Sequence, residues 1–311
     1  MESLPSDRIL KFNANTLEDV RKEFHLEKRE RVIEAIDILE DWVKKQNHFL
    51  KKDFSREYLE RTLITTKGLV ERAKTRIDNL CTFKTLMPNF FEDIDVKKSA
   101  MSTVFSHAHM PKLTKDNYRI YLLKVYNDDF DASLVLDYYK YIVVVSEYLK
   151  IHDYCKGFEV ILDYSDVNVM NFVTKFNPVI LRQAVTLITD GYGMRIKGVY
   201  IISPSKTVDL ILNLFKQVVS TKLASRLHVH KTIDTVTEFL DKDLLPIEYG
   251  GNERSLKELH NEWLEILSSD EHNKYLQEMN KATTNESCRQ TGKFNEQYLG
   301  LPGSFRSLSV D

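Results

Sequence analysis

Four basic side chains flank the most apolar segment of the sequence. Arg195 and Lys197 are two residues apart in strand-like sequence, so the alternation of a strand places them on one face. Lys222 and Arg226 are four apart in helix-like sequence and again share a face. Such a cluster suits phosphate groups, to which arginine and lysine make charge-assisted hydrogen bonds. Counted as charges alone, the same residues also fit an ordinary solvated surface.

The sequence contains none of the common catalytic motifs. A G-x-S-x-G nucleophile turn, a Walker phosphate loop and an H-E-x-x-H zinc helix are all missing. Gly191, Gly193 and Gly198 lack dinucleotide-site spacing and suit a turn and a close strand approach. His228 and His230 would share one side of a strand, but no third metal ligand accompanies them nearby. We therefore predict a protein that is not an enzyme and has no catalytic residue, cofactor or metal.

The segment between the two basic pairs predicts a helix over residues 205–219, which Ser203 and Pro204 would begin. Its apolar side chains cover more of the circumference than the single stripe of a surface helix. They are Val208, Leu210, Ile211, Leu212, Leu214, Phe215, Val218 and Val219. The pattern fits a helix buried between two layers, and also a helix whose two apolar faces meet different surroundings.

Strands and helices alternate around this segment. Phe158, Val160 and Leu162, with Ile161 between them, leave the first strand without a solvent-facing side, which is typical of a buried parallel strand. Asn177 followed by proline predicts the start of a helix, and a second apolar strand follows at 199–202. This order predicts an α/β domain with a mostly parallel sheet and crossover helices.

The N-terminal sequence predicts a bundle of helices. Val32, Ile36, Leu39 and Val43 form one apolar stripe, and two more helical patterns follow. Helices of this length seldom bury their stripes alone, so we expect them to pack together. Pro88 breaks the pattern and indicates a boundary near residue 95. The predicted domains are a helical domain at 1–95, an α/β domain at 96–251, and a C-terminal helix and tail at 252–311.

The C-terminal segment divides into three parts. Leu256, Leu259, Trp263 and Leu267 recur at helical spacing. The polar run at 268–292 is expected to be mobile. The last residues are too apolar for a solvated tail, so we expect them to dock on the folded body. Their apolar side chains are Leu301, Phe305, Leu308 and Val310.

The composition limits the possible partners. The 311 residues carry 44 basic and 46 acidic side chains, so a net charge of -2 gives no overall attraction to nucleic acid or to an anionic membrane. No apolar run approaches the roughly 18 residues of a transmembrane helix, and the start lacks the apolar core of a signal peptide. The 3 cysteines form no CxxC pair, which argues against a disulfide framework. We expect a soluble, cytoplasmic protein, in which any attraction to a membrane must be local.

Several motifs together resemble the CRAL-TRIO lipid-binding family. They are GFEVILDYSDV, TDGYG, MRIKGVYIIS with its following SPS, TKLASR, LHVH and LLPIEYGG. The resemblance is specific from about residue 110 to 251, and it is strongest to the branch of alpha-tocopherol transfer protein and retinaldehyde-binding protein. The N-terminal helices resemble the family's helical accessory domain more loosely. Leu63, Ile64 and Thr65 stand where that domain has a phenylalanine, leucine, arginine run.

The resemblance implies a lipid carrier. In this family the helix at 205–219 is a mobile gate over an apolar pocket that holds one small hydrophobic ligand, such as a tocopherol, a retinoid or another terpenoid. The basic residues match positions that grip a phosphoinositide headgroup, which favours a phosphoinositide site at Arg195, Lys197, Lys222 and Arg226. Strand alternation and the gate predict the pocket wall. Its residues are Phe158, Val160, Leu162, Leu187, Ile201, Ile211, Leu214, Phe215 and Val218.

The predicted function is therefore intracellular lipid transfer, with ligand exchange at phosphoinositide-containing membranes. Two alternatives stay open. A Sec14-like exchanger of phospholipid or phosphatidylinositol uses the same fold, and a non-catalytic interaction scaffold would engage a stable partner through the segment at 255–311. The choice among hydrophobic ligands depends on side-chain shapes around the cavity, which the sequence does not give.

Overall fold

A helical bundle forms the N-terminal part of the computed structural model, which describes residues 3–289 apart from 5, 93 and 98. Its helices are α1 Thr16–Glu23, α2 Arg29–Lys45, α3 Arg56–Thr65 and α4 Val70–Leu86. Helices α2, α3 and α4 pack against one another. The stripe that begins at Val32 is buried between them, because its members recur every three or four residues. The predicted N-terminal helices are thus confirmed.

A five-stranded sheet forms the centre of the rest of the chain. Its strands are β1 Phe105–Leu113, β2 Tyr118–Val125, β3 Gly157–Asp163, β4 Ile196–Ile202 and β5 Leu227–His230. They lie side by side in chain order, with β1 antiparallel to β2 and every other pair parallel. The predicted α/β fold with a mostly parallel sheet is confirmed.

Strand β1 is an element that the sequence pattern does not reveal. His107 and His109 are both buried, so the strand lacks the alternation of polar and apolar residues that marks a half-exposed strand. Pro111 lies where the pairing register shifts between His109 and Leu113. An edge strand tolerates a proline at such an irregularity.

Seven helices connect or cover the strands within the described chain. They are α5 Ser99–Ser102, α6 Ser133–His152, α7 Val169–Val173, α8 Pro178–Thr186, α9 Asp209–Lys216, α10 Thr221–Ala224 and α11 Ile233–Val236. The predicted cap of α8 is present, since the Asn177 side chain accepts hydrogen bonds from the backbone N–H groups of Val179 (2.9 Å) and Ile180 (3.4 Å). Helix α8 continues into a π-helical turn, Leu187–Gly191.

The helix predicted at 205–219 is shorter than expected. Ser203 and Pro204 do not begin it, because the Ser205 hydroxyl accepts a hydrogen bond from the Thr207 N–H group at 3.2 Å and holds a local turn there. Helix α9 starts only at Asp209 and has 8 residues. Helix α10 follows as a separate element, capped by the Ser220 side chain.

Two further helices complete the described chain, α12 Leu256–Leu267 and α13 Asp270–Asn280. Helix α12 packs against β1, where the fully buried Trp263 donates its Nε1–H to the carbonyl oxygen of His109 at 2.9 Å. No helix in the described part of the chain is long and apolar enough to cross a membrane.

The expected mobility of residues 268–292 is wrong for the described part of that run. Helix α13 forms there, and the segment after it is held by polar contacts that a composition argument does not register. Arg289 makes hydrogen bonds of 2.7 and 2.9 Å to the Asp78 carboxylate on α4, and the Thr284 N–H donates to the Thr85 hydroxyl at 2.8 Å. The predicted docking of the final apolar residues lies outside the described residues.

Candidate functional site

An apolar cavity of about 200 Å³ lies between the sheet and its covering helices. Strands β1 to β4 contribute one side, and α6, α8 and the end of α9 contribute the other. None of the described residues that line it carries a formal charge. Such a cavity suits an apolar molecule, because each Å² of apolar surface that leaves water contributes about 25 cal/mol.

Four of the predicted wall residues line this cavity. Phe158, Val160 and Leu162 do so because alternate residues of β3 share one face of the sheet. Phe215 reaches the cavity from α9, and Val219, four residues later, joins it.

Five predicted wall residues do not line the cavity: Leu187, Ile201, Ile211, Leu214 and Val218. Ile201 lies on the same face of β4 as the lining residue Val199, but it is fully buried in the main core, as is Ile211. Leu187 begins the π-helical turn and packs in a separate core cluster with α4. Leu214 and Val218 are half-buried beside that cluster. One face of α9 therefore meets protein rather than the cavity.

Much of the aromatic wall comes from elements outside the predicted set. Strand β1 contributes Phe105 and His109, and α6 contributes Tyr138 and Tyr139. The sequence of α6 could have indicated some of these lining residues, because its apolar residues recur at helical spacing up to the lining residue Val145. The sequence of β1 does not indicate its lining residues, because histidine is classed as a polar residue in hydrophobicity patterns.

The cavity also contains a few uncharged polar groups. The hydroxyls of Tyr121 and Tyr138 lie 2.6 Å apart and hydrogen-bond to each other, and the Ser146 hydroxyl donates to the carbonyl oxygen of Ile142. Two buried atoms, Nδ1 of His109 and the hydroxyl oxygen of Tyr139, have no hydrogen-bond partner among the described residues. Burial lowers the pKa of His109 to about 3, so its imidazole is neutral near pH 7. These groups can orient a ligand without contributing charge.

The outer side of α9 is mixed in character. Asp209, Asn213 and Lys216 are exposed, and Leu210 is 37% exposed beside them. Helix α7 packs against α9 and exposes 54% of Met170. The exposed apolar surface at this end of the molecule is therefore small and bordered by polar side chains.

A polar cleft of about 310 Å³ lies beside the cavity, where the start of α4, the π-helical turn and α10 meet. Six basic residues line it, and no acidic residue does so within the described chain. They are Lys67, Arg72, Arg76, Arg195, Lys222 and Arg226. The cleft thus brings together three of the four predicted basic residues. Concentrated positive charge without carboxylates attracts multivalent anions.

Lys197 does not line this cleft, which corrects the prediction that it shares a face with Arg195. The β3–β4 register passes from Phe158 opposite Ile196 to Glu159 opposite Gly198, so Lys197 is an extra residue at a bulge. Its Nζ lies 3.6 Å from the Glu159 carboxylate and 4.4 Å from the centre of the Tyr118 ring. The bulge breaks the alternation on which the prediction depends.

The other three basic residues of the cleft, Lys67, Arg72 and Arg76, come from the N-terminal bundle. The sequence analysis does not predict them as site residues. Arg76 reaches the π-helical turn and donates a hydrogen bond to the carbonyl oxygen of Thr189. Gly193 makes this approach possible, because it has a φ of 73° and a Cβ atom there would lie 3.1 Å from Nε of Arg76. Basic residues are dense just before and within α4, but this local pattern does not indicate that they approach the π-helical turn.

The chain matches two family models. Residues 106–251 match the CRAL/TRIO domain, and residues 28–101 match the Pinta-like, UBA domain. Similar proteins include the alpha-tocopherol transfer protein-like proteins of Mus musculus, 24% identical, and of Homo sapiens, 23% identical. Both matches cover 72% of this chain, and they cover 66% and 67% of the relatives, so the similarity spans about two thirds of their length.

A solved structure, the crystal structure of Sfh5, has the same fold. The two structures superimpose with a TM-score of 0.50 and 11% identity, over 87% of this chain and 98% of that one. This likeness agrees with the strand order and with the helices that precede the sheet. The domain match, with which the similar proteins agree, shows that residues 106–251 of this chain form a CRAL-TRIO domain.

Proposed function

We propose that this protein is an intracellular lipid-transfer protein, which carries one small hydrophobic molecule and exchanges it at phosphoinositide-containing membranes. The observation that carries the proposal is the pairing of an uncharged cavity with an adjacent cleft that contains six cations. The family supports the binding of a lipophilic ligand. No bond is made or broken in this function, and no metal or cofactor takes part.

The ligand is proposed to be of the tocopherol, retinoid or other terpenoid class. An aromatic wall that is uncharged, with a few neutral polar atoms such as Nδ1 of His109, suits a largely apolar molecule with one polar group. Phe158, Val160, Leu162 and Phe215 are the predicted wall residues that would contact it.

Helix α9 is proposed to be the mobile gate. Its residue Phe215 lines the cavity. Leu210 on its exposed side, together with Met170 on the adjacent helix α7, would contact the membrane surface. Contact with lipid lowers the free energy of exposing the cavity's apolar lining, because that lining then meets hydrocarbon rather than water. Membrane contact therefore promotes opening, and the association is peripheral and transient.

The basic cleft is proposed to bind the phosphoinositide headgroup. Arg195, Lys222 and Arg226 take part, joined by Lys67, Arg72 and Arg76 from the N-terminal bundle. Helix α10 carries Lys222 and directly follows α9, so a bound headgroup would hold the end of the gate at the membrane. Lys197 lies outside the cleft and is left out of this site.

The experiment is mass spectrometry of the organic extract from natively purified protein. We expect one terpenoid-class molecule per protein, and uptake of a fluorescent tocopherol or retinoid at a stoichiometry near one. A two-chain phospholipid in the extract would instead favour a Sec14-like exchanger. If the protein neither retains nor takes up any lipid, the carrier function is wrong and an interaction scaffold becomes the better explanation.

A further inference from the structure

A second, smaller cavity of about 50 Å³ lies between α3, the end of α6 and the residues that precede β4. Arg61, Lys150 and Arg195 line it, and the acidic side chain in its lining is that of Asp153. A buried water needs about 10–15 Å³, so the space admits a small polyatomic group. Positive charge dominates its wall.

Arg61 is a buried cation in the lining of this cavity. Its side chain is 3% exposed, and none of its three guanidinium nitrogens has a hydrogen-bond partner among the described residues. The guanidinium lies 5.3 Å from the centre of the Tyr154 ring, which gives it an aromatic face but no acceptor. A buried cation that lacks an acceptor is costly, so such a group calls for an unseen partner.

The neighbouring carboxylates already hold other cations. Glu60 accepts a hydrogen bond of 2.8 Å from Arg21, and Asp153 accepts two, of 2.8 and 2.9 Å, from Arg119. Neither makes a hydrogen bond to Arg61. Both carboxylates are thus paired with another arginine, and no described residue forms a hydrogen bond with Arg61.

Lys150 adds a second buried cation. It is 5% exposed, its Nζ lies 5.0 Å from the centre of the Tyr58 ring, and no described residue forms an ion pair with it. The nearby Glu147 instead pairs with Lys84 at 2.7 Å. Burial lowers the pKa of Lys150 to about 7, the expected effect on an ammonium group that lacks a counter-ion.

We propose that this inner cavity binds an oxyanion, either a carboxylate or a phosphate, through Arg61 with help from Lys150 and Arg195. A guanidinium presents parallel N–H groups that match two oxygens of such an anion, and an ammonium group adds a charge-assisted hydrogen bond. One Nη of Arg195 is likewise buried without a partner in the described chain. The anion would accept the hydrogen bonds that the protein leaves unmade.

Two sources can supply this anion. The inner cavity shares Ser146, Phe158 and Met194 with the apolar cavity, so the head of a lipid whose chain fills the apolar cavity can reach Arg61. This source rests on the proposed function. The inner cavity also shares Thr65 and Arg195 with the basic cleft, which gives a free inorganic anion a route of entry.

The first test uses inorganic phosphate and the full-length protein. Thermal unfolding is followed while phosphate replaces chloride at constant ionic strength. We expect the Tm of the wild type to rise with phosphate, and Arg61→Met and Lys150→Met each to abolish most of that rise. Lys257→Met is the matched control, because it removes one exposed cation that lines neither the inner cavity nor the outer cleft and should keep the rise. Arg61→Lys provides a conservative variant if Arg61→Met does not fold.

The second test compares stearic acid with octadecanol as displacers of a bound fluorescent lipid, since the two share a chain and differ in the head. If the lipid supplies the anion, the acid binds at least tenfold more tightly to the wild type, and the preference disappears in Lys150→Met. Equal binding of both, with the phosphate effect intact, assigns the site to a free anion. If neither stearic acid nor octadecanol binds, the proposed carrier function is wrong. The change of Tm with phosphate then still tests whether the inner cavity binds an anion. No phosphate effect and no acid preference overturn the proposal, and Arg61 and Lys150 are then cations that merely pack on tyrosine rings.

Discussion

At the scale of single residues, the ion pair of Arg119 and Asp153 joins three parts of the fold. The Arg119 guanidinium is fully buried, donates twice to Asp153 after α6, and donates at 2.9 Å to the carbonyl oxygen of Met110 on β1. Burial by itself raises the pKa of Asp153, but the charge and hydrogen bonds of Arg119 outweigh that effect and hold the pKa below its ordinary value. Asp153 is therefore ionised in the folded protein near pH 7.

We predict that Arg119→Met lowers the free energy of unfolding by about 3–5 kcal/mol at pH 7, because it leaves a buried carboxylate unpaired. The folded pKa of Asp153 is lower than the unfolded one, so the stabilisation is complete above about pH 4 and is lost as pH falls through the folded pKa. The difference between wild type and variant should shrink in acid. Urea unfolding at several pH values measures both effects.

The double variant Arg119→Met, Asp153→Leu is the control for this pair. Replacing both charges with apolar side chains should restore most of the lost stability, since no unpaired charge is then buried. If the single variant unfolds at the same urea concentration as the wild type, the pair contributes nothing and the argument is wrong.

At the scale of elements, α9 combines a side chain that enters the cavity with an outer surface that meets solvent. Phe215 lines the cavity, whereas Asn213, two residues earlier, is exposed. The same added charge can thus be placed on either side of one helix. This allows the role of the cavity side to be separated from any general effect on the helix.

We predict that Phe215→Asp weakens the uptake of a fluorescent tocopherol or retinoid at least tenfold, because a carboxylate would be placed against the apolar lining. Asn213→Asp adds the same charge on the exposed side and should bind like the wild type. Fluorescence titration compares the three proteins, and circular dichroism confirms that each is folded. Wild-type affinity in a folded Phe215→Asp protein would contradict the assignment of α9.

Local signals in the sequence predict elements well and their side-chain directions less well. Two adjacent residues, Asn177 and Pro178, predict the start of a helix, and α8 begins there. The position of Lys197 depends on a bulge that arises from pairing with β3, which no local pattern encodes. Four of nine predicted wall residues line the cavity. Ile211 and Leu214 do not, because the packing of α9 on two core clusters sets the direction of their side chains.

At the scale of the whole molecule, the basic cleft unites residues that are far apart in the chain. Lys67, Arg72 and Arg76 come from the N-terminal bundle, and Lys222 and Arg226 come from the segment after α9. Sequence spacing could predict the second group, since its two members follow an apolar helix and lie four residues apart. The first group could not be predicted, because only the packing of α4 against the π-helical turn brings it near.

We predict that the triple variant Arg195→Ala, Lys222→Ala, Arg226→Ala loses most of its binding to vesicles that contain phosphatidylinositol bisphosphate. Each basic residue contributes about 1 kcal/mol near an anionic membrane, so the loss should be about 3 kcal/mol, roughly a hundredfold in affinity. Binding of the wild type should also weaken as salt rises, because screening shortens the reach of the charges. Vesicle flotation at two salt concentrations measures both.

The matched control removes three exposed lysines that do not line the cleft, Lys44, Lys45 and Lys257, and thus the same net charge. It should float almost like the wild type. If both triple variants lose binding equally, the attraction depends on overall charge, and the cleft has no specific role. Lys197→Ala alone should have little effect, since Lys197 is paired outside the cleft.

The contact between α12 and β1 gives the cavity a built-in optical reporter. The chain has 2 tryptophans, and one of them, Trp263, has its ring 5.7 Å from that of the lining residue His109. The other, Trp42, packs on Phe49 in the N-terminal bundle. A conjugated polyene in the cavity would accept excitation energy mainly from the nearer indole, whereas a saturated chain would leave the emission unchanged. Ultraviolet emission of the unlabelled protein, with Trp42→Phe to isolate one signal, therefore distinguishes classes of cargo in real time.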